Sequence, residues 1–409
     1  MIYPEYPQKI LIYVREQHDL LFREPIGNLK HKFIVPGSGY AFQLWDWDSW
    51  LTDVAISEVV KDPKEKAELF EYQKGCIYNF LDAMNPKTGF VPIEIGVEST
   101  LPKDAGDGST NTSKPCLIQH TLAIAEYQNN FEWVKPLVLE FELYISYYDN
   151  YCKHESGLYF FIDDMCIGVD NDPCTFYRPL KSSASIFLNC LMYKEFLALS
   201  ELLSKFGEEE KSEVYIKKAN ELKNAINEYC YDERNGFYYS VDINLLPINK
   251  DYWLHSGAPR AWSTLIQRID VWSGFLALWA GIADEKQAER VVKENYLNEN
   301  TFNAKYGVRT LSKCEKMYSL AKTGNPSCWL GPVWGVSNYL TYEGLKNYGY
   351  IKEANELAEK TINLFGKDIC DCGEMHEYYN PDTGEGINNQ GFQSWNLLAG
   401  KIANDIMSR

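Results

Sequence analysis

One stretch of the chain places four aspartates among aromatic residues. Residues 155–179 read "ESGLYFFIDDMCIGVDNDPCTFYRP", and the four carboxylates belong to Asp163, Asp164, Asp170 and Asp172. Carboxylates held close together repel one another, so the pKa of at least one of them is expected to rise. A carboxylic acid that stays protonated near neutral pH can act as a general acid. The same composition also fits a solvated turn, and these residues alone do not decide between the two interpretations.

Two tryptophans alternate with two aspartates in the stretch "YAFQLWDWDSWLTDVAI" at residues 40–56. The C–H faces of a sugar stack on indole rings, and its hydroxyls hydrogen-bond with carboxylates. Trp45, Trp47 and Asp48 therefore form a candidate sugar-binding cluster. A plainer interpretation of Asp48 is a cap for the helix that begins here.

Two later stretches combine aromatic rings with further polar groups. The stretch "NPSCWLGPVWGVSNYLTYEGLKNYGY" contains Trp329 and Trp334 at the start of a helical pattern. The stretch "DCGEMHEYYNPDTGEGINNQGFQSWNLLAG" contains Glu374, Glu377 and Gln393. Any of these glutamates, or Glu385 in the same stretch, could be the basic partner of a distant aspartate. The alternatives are core packing for the tryptophans and a solvated acidic loop for the glutamates.

Several other chemistries lack their sequence signatures. The chain has no His-Glu-x-x-His zinc motif, no paired Cys-x-x-Cys, no Gly-x-Ser-x-Gly elbow and no phosphate-binding or dinucleotide-binding loop. We therefore predict neither a metal nor a cofactor, and the remaining carboxylate chemistry points to glycoside hydrolysis. The formal net charge of −17 disfavours nucleic acid and anionic membranes as partners. No signal-peptide pattern or membrane-spanning apolar run is found, so the expected location is the cytoplasm.

Helical periodicity dominates the chain and must supply the scaffold for these loops. In "ELKNAINEY", for example, Leu222, Ala225, Ile226 and Tyr229 recur at the spacing of one amphipathic helix face. Helices are predicted at 49–60, 64–84, 114–130, 132–149, 182–206, 210–230, 270–283, 285–296, 332–347, 350–366 and 390–406.

The predicted helices come in pairs, and long loops rich in glycine, proline and aromatic residues separate the pairs. Such hairpins bury their apolar stripes against neighbours, either in a solenoid or in a closed double ring of helices. No repeat of fixed length is found, so we predict an all-α closed ring with the long loops gathered at one end. Residues 1–40 are predicted as an irregular lead-in packed on the ring, with short strands at 8–14 and 31–35, and residues 41–409 as the catalytic domain.

Taken in order, these stretches resemble glycoside hydrolase family 63, in particular its compact bacterial mannosylglycerate and glucosylglycerate hydrolases. The matching pieces run from about residue 35 to the C-terminus and read "WDWDS", "SGLYFFIDDMCIGVDNDP", "RNGFYYSVD", "GPVWGVSNYLTYEGLKNYGY", "EYYNPDTGEG" and "FQSWNLLAG". Processing α-glucosidase I and the family 37 trehalases are more distant relatives of this group. The resemblance implies an (α/α)6 barrel and an inverting, exo-acting α-glycosidase. Its substrate would be a small α-glucoside or α-mannoside: a disaccharide, an oligosaccharide or a glycosyl-glycerate.

The resemblance also assigns roles to single residues. Asp170, in a Gly-x-Asp-Asn motif, corresponds to the general acid, and Glu377, which opens Glu-x-Tyr-Asn-Pro, corresponds to the general base. Inversion requires the two carboxyl groups to lie roughly 6.5–9.5 Å apart, so that a water molecule fits between the sugar and the base. The substrate-binding residues expected on this basis are Trp45, Trp47, Asp48, Lys114, Gly168, Trp329, Trp334 and Gln393.

Two departures from the family pattern indicate a changed substrate. The tripeptide Lys-Pro-Cys that begins at Lys114 stands where relatives carry Gln-Pro-Pro, and Asp172 stands where they often carry serine. We expect Lys114 to face an anionic part of the substrate. The loop at 251–270 and Arg309 are expected to contact the leaving group.

Two alternatives to an α-glycosidase remain. Another sugar enzyme on the same barrel, such as an epimerase or an unsaturated-uronide hydrolase, would use paired histidines or a hydration aspartate. A non-catalytic sugar-binding relative would show no turnover. The spacing of the six histidines pairs none of them, which argues against the epimerase. It also stays open whether Asp163, Asp172 or Glu374 shares the catalytic role.

Overall fold

The α-helices alternate between an outer and an inner ring. The computed structural model describes residues 2–103, 106–245, 254 and 262–408. Even-numbered helices pack against one another in order and α12 returns to α2, so the inner ring is closed and the predicted (α/α)6 barrel is confirmed. In chain order the helices are α1 (Tyr6–Gln17), α2 (Asp46–Val59), α3 (Pro63–Asp82), α4 (Leu117–Gln128), α5 (Val138–Tyr151), α6 (Ile186–Lys205), α7 (Glu209–Tyr229), α8 (Leu276–Trp279), α9 (Glu285–Arg290), α10 (Gly335–Asn347), α11 (Ile351–Cys372) and α12 (Leu398–Met407).

Burial follows the ring to which each helix belongs. Inner helix α6 buries 15 of its 20 residues, because apolar side chains occur all around "IFLNCLMYKEFLALSELLSK". Outer helix α7 buries only 6 of 21, along a single apolar stripe. A helix with one apolar stripe belongs at the surface, and one that is apolar on every side belongs inside. Even so, no helix among the described residues has the length and apolar character needed to cross a membrane.

Short antiparallel strands connect the helices. The pairing of β13 with β14 places Trp334 opposite Tyr378, which brings the start of α10 next to the segment that carries Glu377. In chain order the strands are β1 (Phe22–Arg23), β2 (Phe33–Ile34), β3 (Gln43–Trp45), β4 (Glu94–Gly96), β5 (Thr100–Leu101), β6 (Ser183–Ala184), β7 (Tyr231–Asp232), β8 (Phe237–Tyr238), β9 (Val241–Asp242), β10 (Leu265–Ile266), β11 (Asn303–Ala304), β12 (Gly307–Val308), β13 (Val333–Trp334) and β14 (Tyr378–Tyr379).

The N-terminal segment differs from its prediction. The strand predicted at 8–14 is wrong, because these residues lie in helix α1. Ile10, Tyr13 and Val14 are buried at helical spacing on the side of α1 that packs against α11 and α12, whereas Ile12 is exposed. The short strand predicted at 31–35 is confirmed as β2. The division of the chain at residue 40 stays a prediction.

Some helix boundaries also differ from the prediction. The helices predicted at 270–283 and 390–406 each begin with a 3₁₀ turn, Trp272–Phe275 and Ser394–Leu397, before the regular turns of α8 and α12. Helix α11 continues past its predicted end, because nothing interrupts its apolar stripe before Gly373. That glycine adopts the left-handed conformation (φ 75°) that commonly ends a helix.

Candidate active site

A cavity of about 260 Å³ opens where the segments that precede the inner helices meet. Protein sites for small molecules usually measure roughly 300–1,000 Å³, so this cavity is suited to a single sugar ring. Phe392, Trp395 and Tyr40 contribute further aromatic surface to its wall. The predicted site residues that line it are Trp45, Trp47, Asp48, Lys114, Gly168, Asp170, Trp329, Trp334 and Glu377.

The first turn of α2 carries two buried carboxyl groups, of which that of Asp48 lines the cavity. Asp46 accepts a hydrogen bond from the backbone N–H of Lys114 (2.8 Å), and Asp48 accepts one from the hydroxyl of Ser394 (3.1 Å). Burial raises the pKa of Asp48 to about 8; Lys114 opposes this shift, and the negative charge of Asp46 adds to it. Asp48 is therefore not a helix cap. It is a carboxyl group that can both donate and accept hydrogen bonds near neutral pH.

Lys114 is buried in the cavity wall, and its charge is already paired. Its Nζ lies 2.7 Å from Asp46, donates to the carbonyl of Cys166 (3.4 Å) and lies 5.6 Å from the ring centre of Trp47. Burial alone would lower the pKa of Lys114, but the charge of Asp46 outweighs it and the pKa is raised. Because Asp46 balances the charge of Lys114, the pair presents no net positive charge to the cavity. An anionic group of the substrate is therefore not required opposite Lys114.

Gly168 allows the loop of Asp170 to lie directly on α2. Its φ of 91° is in the left-handed region. A Cβ at this position would also lie 3.0 Å from Cδ of Lys114 and 3.2 Å from the indole of Trp47. Both the backbone conformation and the close approach therefore require glycine. The glycine of the Gly-x-Asp-Asn motif thus has a packing role beside Asp170.

Asparagines on both sides of a loop junction hold Asp170 in place. Asn171 adopts φ 51°, its Nδ2 donates to the carbonyl of Ser327 (3.1 Å), and its Oδ1 accepts from the backbone N–H of Trp329 (3.0 Å). From the segment tied down in this way, Asn325 donates to the carboxylate of Asp170 (3.3 Å). Burial raises the pKa of Asp170, and the Asn325 hydrogen bond opposes that rise.

Glu377 is almost fully buried and receives hydrogen bonds from amides. Its Oε2 accepts from Nδ2 of Asn388 (2.8 Å) and from Nδ2 of Asn389, and the hydroxyl of Tyr40 lies 3.5 Å from Oε1. Burial raises the pKa of Glu377 to about 7; the two amides oppose the shift, and the charge of Asp170 adds to it. The carboxyl groups of Asp170 and Glu377 therefore interact electrostatically across the cavity.

Stacked indoles form the apolar part of the cavity wall. The ring centroids of Trp329 and Trp334 lie 4.1 Å apart, and the two rings are within 10° of parallel. The ring centroids of Trp47 and Trp395 lie 4.8 Å apart. The indole N–H of Trp334 donates to the carbonyl of Cys328 (2.8 Å), so that ring is fixed in orientation. Rigid, flat surfaces of this kind suit the C–H face of a sugar.

Two residues predicted to contact the substrate lie elsewhere. The backbone N–H of Gln393 donates to the carbonyl of Pro36 (3.1 Å), and its side chain lies beside Tyr13 rather than in the cavity. The guanidinium of Arg309 is buried, donates to backbone carbonyls and forms an ion pair with Asp382 (2.9 Å). Both predictions were wrong because these side chains are used in packing between loops. Most of the loop at 251–270, also predicted near the leaving group, lies outside the described residues.

The other acidic candidates are separated from the cavity. Asp163 accepts a hydrogen bond from Asn111 (2.7 Å) on the loop before α4, and the backbone N–H of Cys174 donates to Asp172 (2.9 Å). Burial raises the pKa of Asp172 to about 6, but Asp172 faces a separate small void. Among the described residues, the carboxylates that line the cavity are Asp48, Asp170 and Glu377, and no described histidine lines it.

Several functional neighbours were not predicted from the sequence. Tyr40, Asn325, Asn388 and Asn389 contact the two central carboxylates, yet none of these residue types has a distinctive spacing. The signal available was position, since each lies in or beside one of the four quoted stretches.

The arrangement can hold one proton between two acidic groups. The charge of Asp170 raises the pKa of Glu377, so a state with both groups ionised is disfavoured. A pair that carries one proton offers one proton donor and one proton acceptor to a bound sugar.

Comparison with known proteins agrees with this chemistry. Mannosylglycerate hydrolase MGH1 of Selaginella moellendorffii is 32% identical over 123 residues, which are 30% of this chain and 22% of the relative. The cytosolic neutral trehalase of Kluyveromyces lactis is 26% identical over 237 residues, which are 55% of this chain and 28% of the relative. This chain therefore spans less than a third of the length of these two relatives.

The fold and the family are shown over most of the chain. The structure of the family 63 mannosylglycerate hydrolase from Thermus thermophilus in complex with glucose matches with a TM-score of 0.69 at 18% identity, covering 97% of this chain and 99% of that one. The family model of the mannosylglycerate hydrolase MGH1-like glycoside hydrolase domain matches residues 42–395. The chain belongs to this MGH1-like family of glycoside hydrolases.

Proposed function

We propose that the protein is an inverting, exo-acting α-glycosidase that hydrolyses a small α-glucoside or α-mannoside, with Asp170 as general acid and Glu377 as general base. One observation carries the proposal. The two carboxyl groups line the same aromatic cavity, both have raised pKa values, and the charge of one raises the pKa of the other. A raised pKa in a water-poor cleft is what proton transfer near neutral pH requires.

The hydrogen bonds around each group support this division of roles. Glu377 accepts from two side-chain amides, which stabilise its ionised form, as a base requires. Asp170 accepts from the amide of Asn325 at the longer distance of 3.3 Å, and burial raises its pKa, which favours the protonated form that an acid requires. The reaction then balances simply. Asp170 gives its proton to the glycosidic oxygen as the C–O bond breaks, and a water deprotonated by Glu377 forms the new bond from the opposite face.

The cavity walls support an exo mode of action on an uncharged sugar ring. Its volume of about 260 Å³ suits one ring, with the remainder of the substrate outside. Among the described residues that line the cavity, Lys114 is the only cation, and Asp46 already pairs with it. We therefore expect Lys114 and Asp48 to bind sugar hydroxyls. A small carbohydrate as substrate and a cytoplasmic location complete the proposal, and the cytosolic trehalase among the relatives supports the location.

The first test is the product. Purified protein is incubated with trehalose, kojibiose, glucosylglycerate, mannosylglycerate and related α-linked disaccharides, and proton NMR follows the first minutes of any hydrolysis. Release of the β-anomer from the α-linked substrate is expected. An initial α-anomer of the sugar released from mannosylglycerate or glucosylglycerate would contradict inversion, whereas trehalose yields one α- and one β-glucose even on inversion. Binding without turnover on the whole panel would favour the non-catalytic alternative.

The second test separates the acid from its neighbours. Asp170→Asn is expected to lower kcat by about 10²–10⁴-fold on a natural disaccharide with little change in KM. The loss should be much smaller with a glycosyl fluoride, because that leaving group needs no protonation. Asp164→Asn, an exposed aspartate in the same loop, is the matched control and should keep near-normal rates. Equal losses on both substrates would show that Asp170 is not the acid.

A further inference from the structure

A second cluster of reactive side chains lies outside the cavity, where α11 ends. Asp368 and Cys372 are four residues apart on α11, so they share one face of the helix. His376 follows after the turn at Gly373 and folds back towards them. One ligand-type atom from each of these three residues lies within 4.8 Å of the other two.

Neighbouring groups orient the carboxylate of Asp368. Its Oδ2 accepts from the hydroxyl of Tyr379 (2.8 Å) and from the backbone N–H of His376 (3.0 Å). Both carboxylate oxygens also face Nδ1 of His376, Oδ2 at 2.9 Å and Oδ1 at 3.1 Å. Carboxylates that bind metals typically accept hydrogen bonds from neighbouring groups of this kind, because these bonds fix the orientation of the carboxylate.

We propose that Asp368, Cys372 and His376 form a binding site for a divalent cation of the zinc type. A thiolate, an imidazole nitrogen and a carboxylate oxygen are the donors that Zn²⁺ prefers, whereas Mg²⁺ and Ca²⁺ prefer oxygen alone. Three protein ligands leave the fourth tetrahedral position to water.

The present geometry needs only small adjustments to hold the ion. Tetrahedral bonds of the usual length place neighbouring ligand atoms roughly 3.3–3.5 Å apart. The carboxylate and imidazole must therefore separate by a few tenths of an ångström, and the exposed side chain of Cys372 must turn inwards. On binding, the thiol releases its proton to solvent, and the imidazole carries its remaining proton on Nε2.

The position of the site links it to the cavity. His376 directly precedes Glu377, and the carbonyl of His376 accepts from Nδ2 of Asn396 (2.7 Å) in the 3₁₀ turn before α12. An ion held by Asp368 and His376 would join the end of α11 to the segment that carries Glu377. The cluster was hidden in the sequence, because its spacing of four and four residues matches no familiar zinc motif.

The experiment uses Co²⁺ as a visible substitute for zinc, added to the full chain under reducing conditions. The wild-type protein should bind one equivalent with an intense thiolate-to-cobalt absorption band, and one equivalent of Zn²⁺ should abolish it. Cys372→Ser should lose the band and His376→Gln should weaken binding at least 10-fold.

Cys370→Ser is the matched control, because Cys370 is also exposed and lies only two residues from Cys372. It points about 200° away around the helix, towards Lys9 (3.2 Å), and its loss should leave the band unchanged. The proposal fails if the wild type shows no band, if the band survives in Cys372→Ser, or if it disappears in Cys370→Ser. Circular dichroism of each variant verifies that the fold is intact.

Discussion

Amide donors around Glu377 control its protonation more directly than any charged neighbour does. Two asparagine amides favour its ionised form, while burial and the charge of Asp170 favour its protonated form. The resulting pKa of about 7 predicts that kcat/KM falls as pH drops through neutrality, because the base becomes protonated.

Removing one amide tests this balance. Asn388→Ala deletes a donor to Glu377 Oε2 (2.8 Å) at a position with ordinary backbone geometry, unlike Asn389, whose φ is 39°. The pKa of Glu377 should rise by roughly one unit, so the acidic limb of the kcat/KM profile should move to higher pH. Asn347→Ala, which removes an amide far from the cavity, is the control. An unchanged or downward shift in Asn388→Ala would contradict the role of this amide.

Asp48 makes stability depend on pH. Its pKa is about 8 in the folded chain, whereas an aspartate in its ordinary, solvated state has a pKa of 3.8. Between these values the folded protein holds a proton that the unfolded chain has released, so the free energy of unfolding falls as pH rises from about 4 to about 8. Asp48→Asn keeps the shape and lacks this titration. Relative to wild type, its melting temperature should rise progressively over that range, whereas exposed Asp164→Asn should follow wild type throughout.

The residue types in the sequence predicted the aromatic and acidic parts of the cavity. They did not predict the hydrogen-bond donors that shift the pKa values of its carboxyl groups. Trp47 and Asp48 are visible in the sequence because tryptophan and aspartate rarely alternate. Tyr40 is not visible in this way, because it reaches Glu377 from a position 337 residues away. The partner of Lys114 could not be predicted either, since an ion pair with Asp46 depends on how the loop before α4 meets the first turn of α2.

At the scale of elements, a loop-to-loop bridge sets the position of the proposed acid. Asn171 adopts a left-handed conformation and joins the loop of Asp170 to the segment of Trp329 through two hydrogen bonds. Backbone strain of this kind persists only where surrounding contacts hold it. The bridge therefore fixes a catalytic loop that has no regular secondary structure of its own.

Two substitutions separate the strain from the bridge. Asn171→Gly accepts the positive φ but lacks the side chain, and Asn171→Ala lacks both advantages. We expect kcat/KM to fall at least 10-fold in Asn171→Gly and further in Asn171→Ala, measured on the best substrate of the panel. If Asn171→Gly retains full activity, the two side-chain hydrogen bonds of Asn171 are not needed for activity, and only the positive φ at this position is.

Helical periodicity predicted most of the ring but not the ends of its elements. Long stripes such as that of α7 identify outer helices without ambiguity. The start of α12 was misjudged, because the 3₁₀ turn Ser394–Leu397 contains the same apolar residues as a regular turn. In α1, the run "QKILIYV" satisfies both strand and helix patterns, and only packing against α11 and α12 selects the helix.

At the scale of the whole molecule, α1 is part of the ring that supports the cavity. Ile10→Ala removes a fully buried side chain and should lower the free energy of unfolding by about 2–5 kcal/mol. Ile12→Ala, on the same helix but 44% exposed, should change it by no more than about 0.5 kcal/mol. Denaturant unfolding measures both. Equal effects would show that α1 is not held against the ring in the way described.

The same closure has a consequence for biosynthesis. Because α1 packs against α11 and α12, it can meet these two partners only after they have been made. At roughly 5–20 residues per second, translation from α1 to α12 leaves this part of the apolar stripe without its native cover for tens of seconds. A ribosome stalled before α11 would therefore carry a chain with exposed apolar surface on α1.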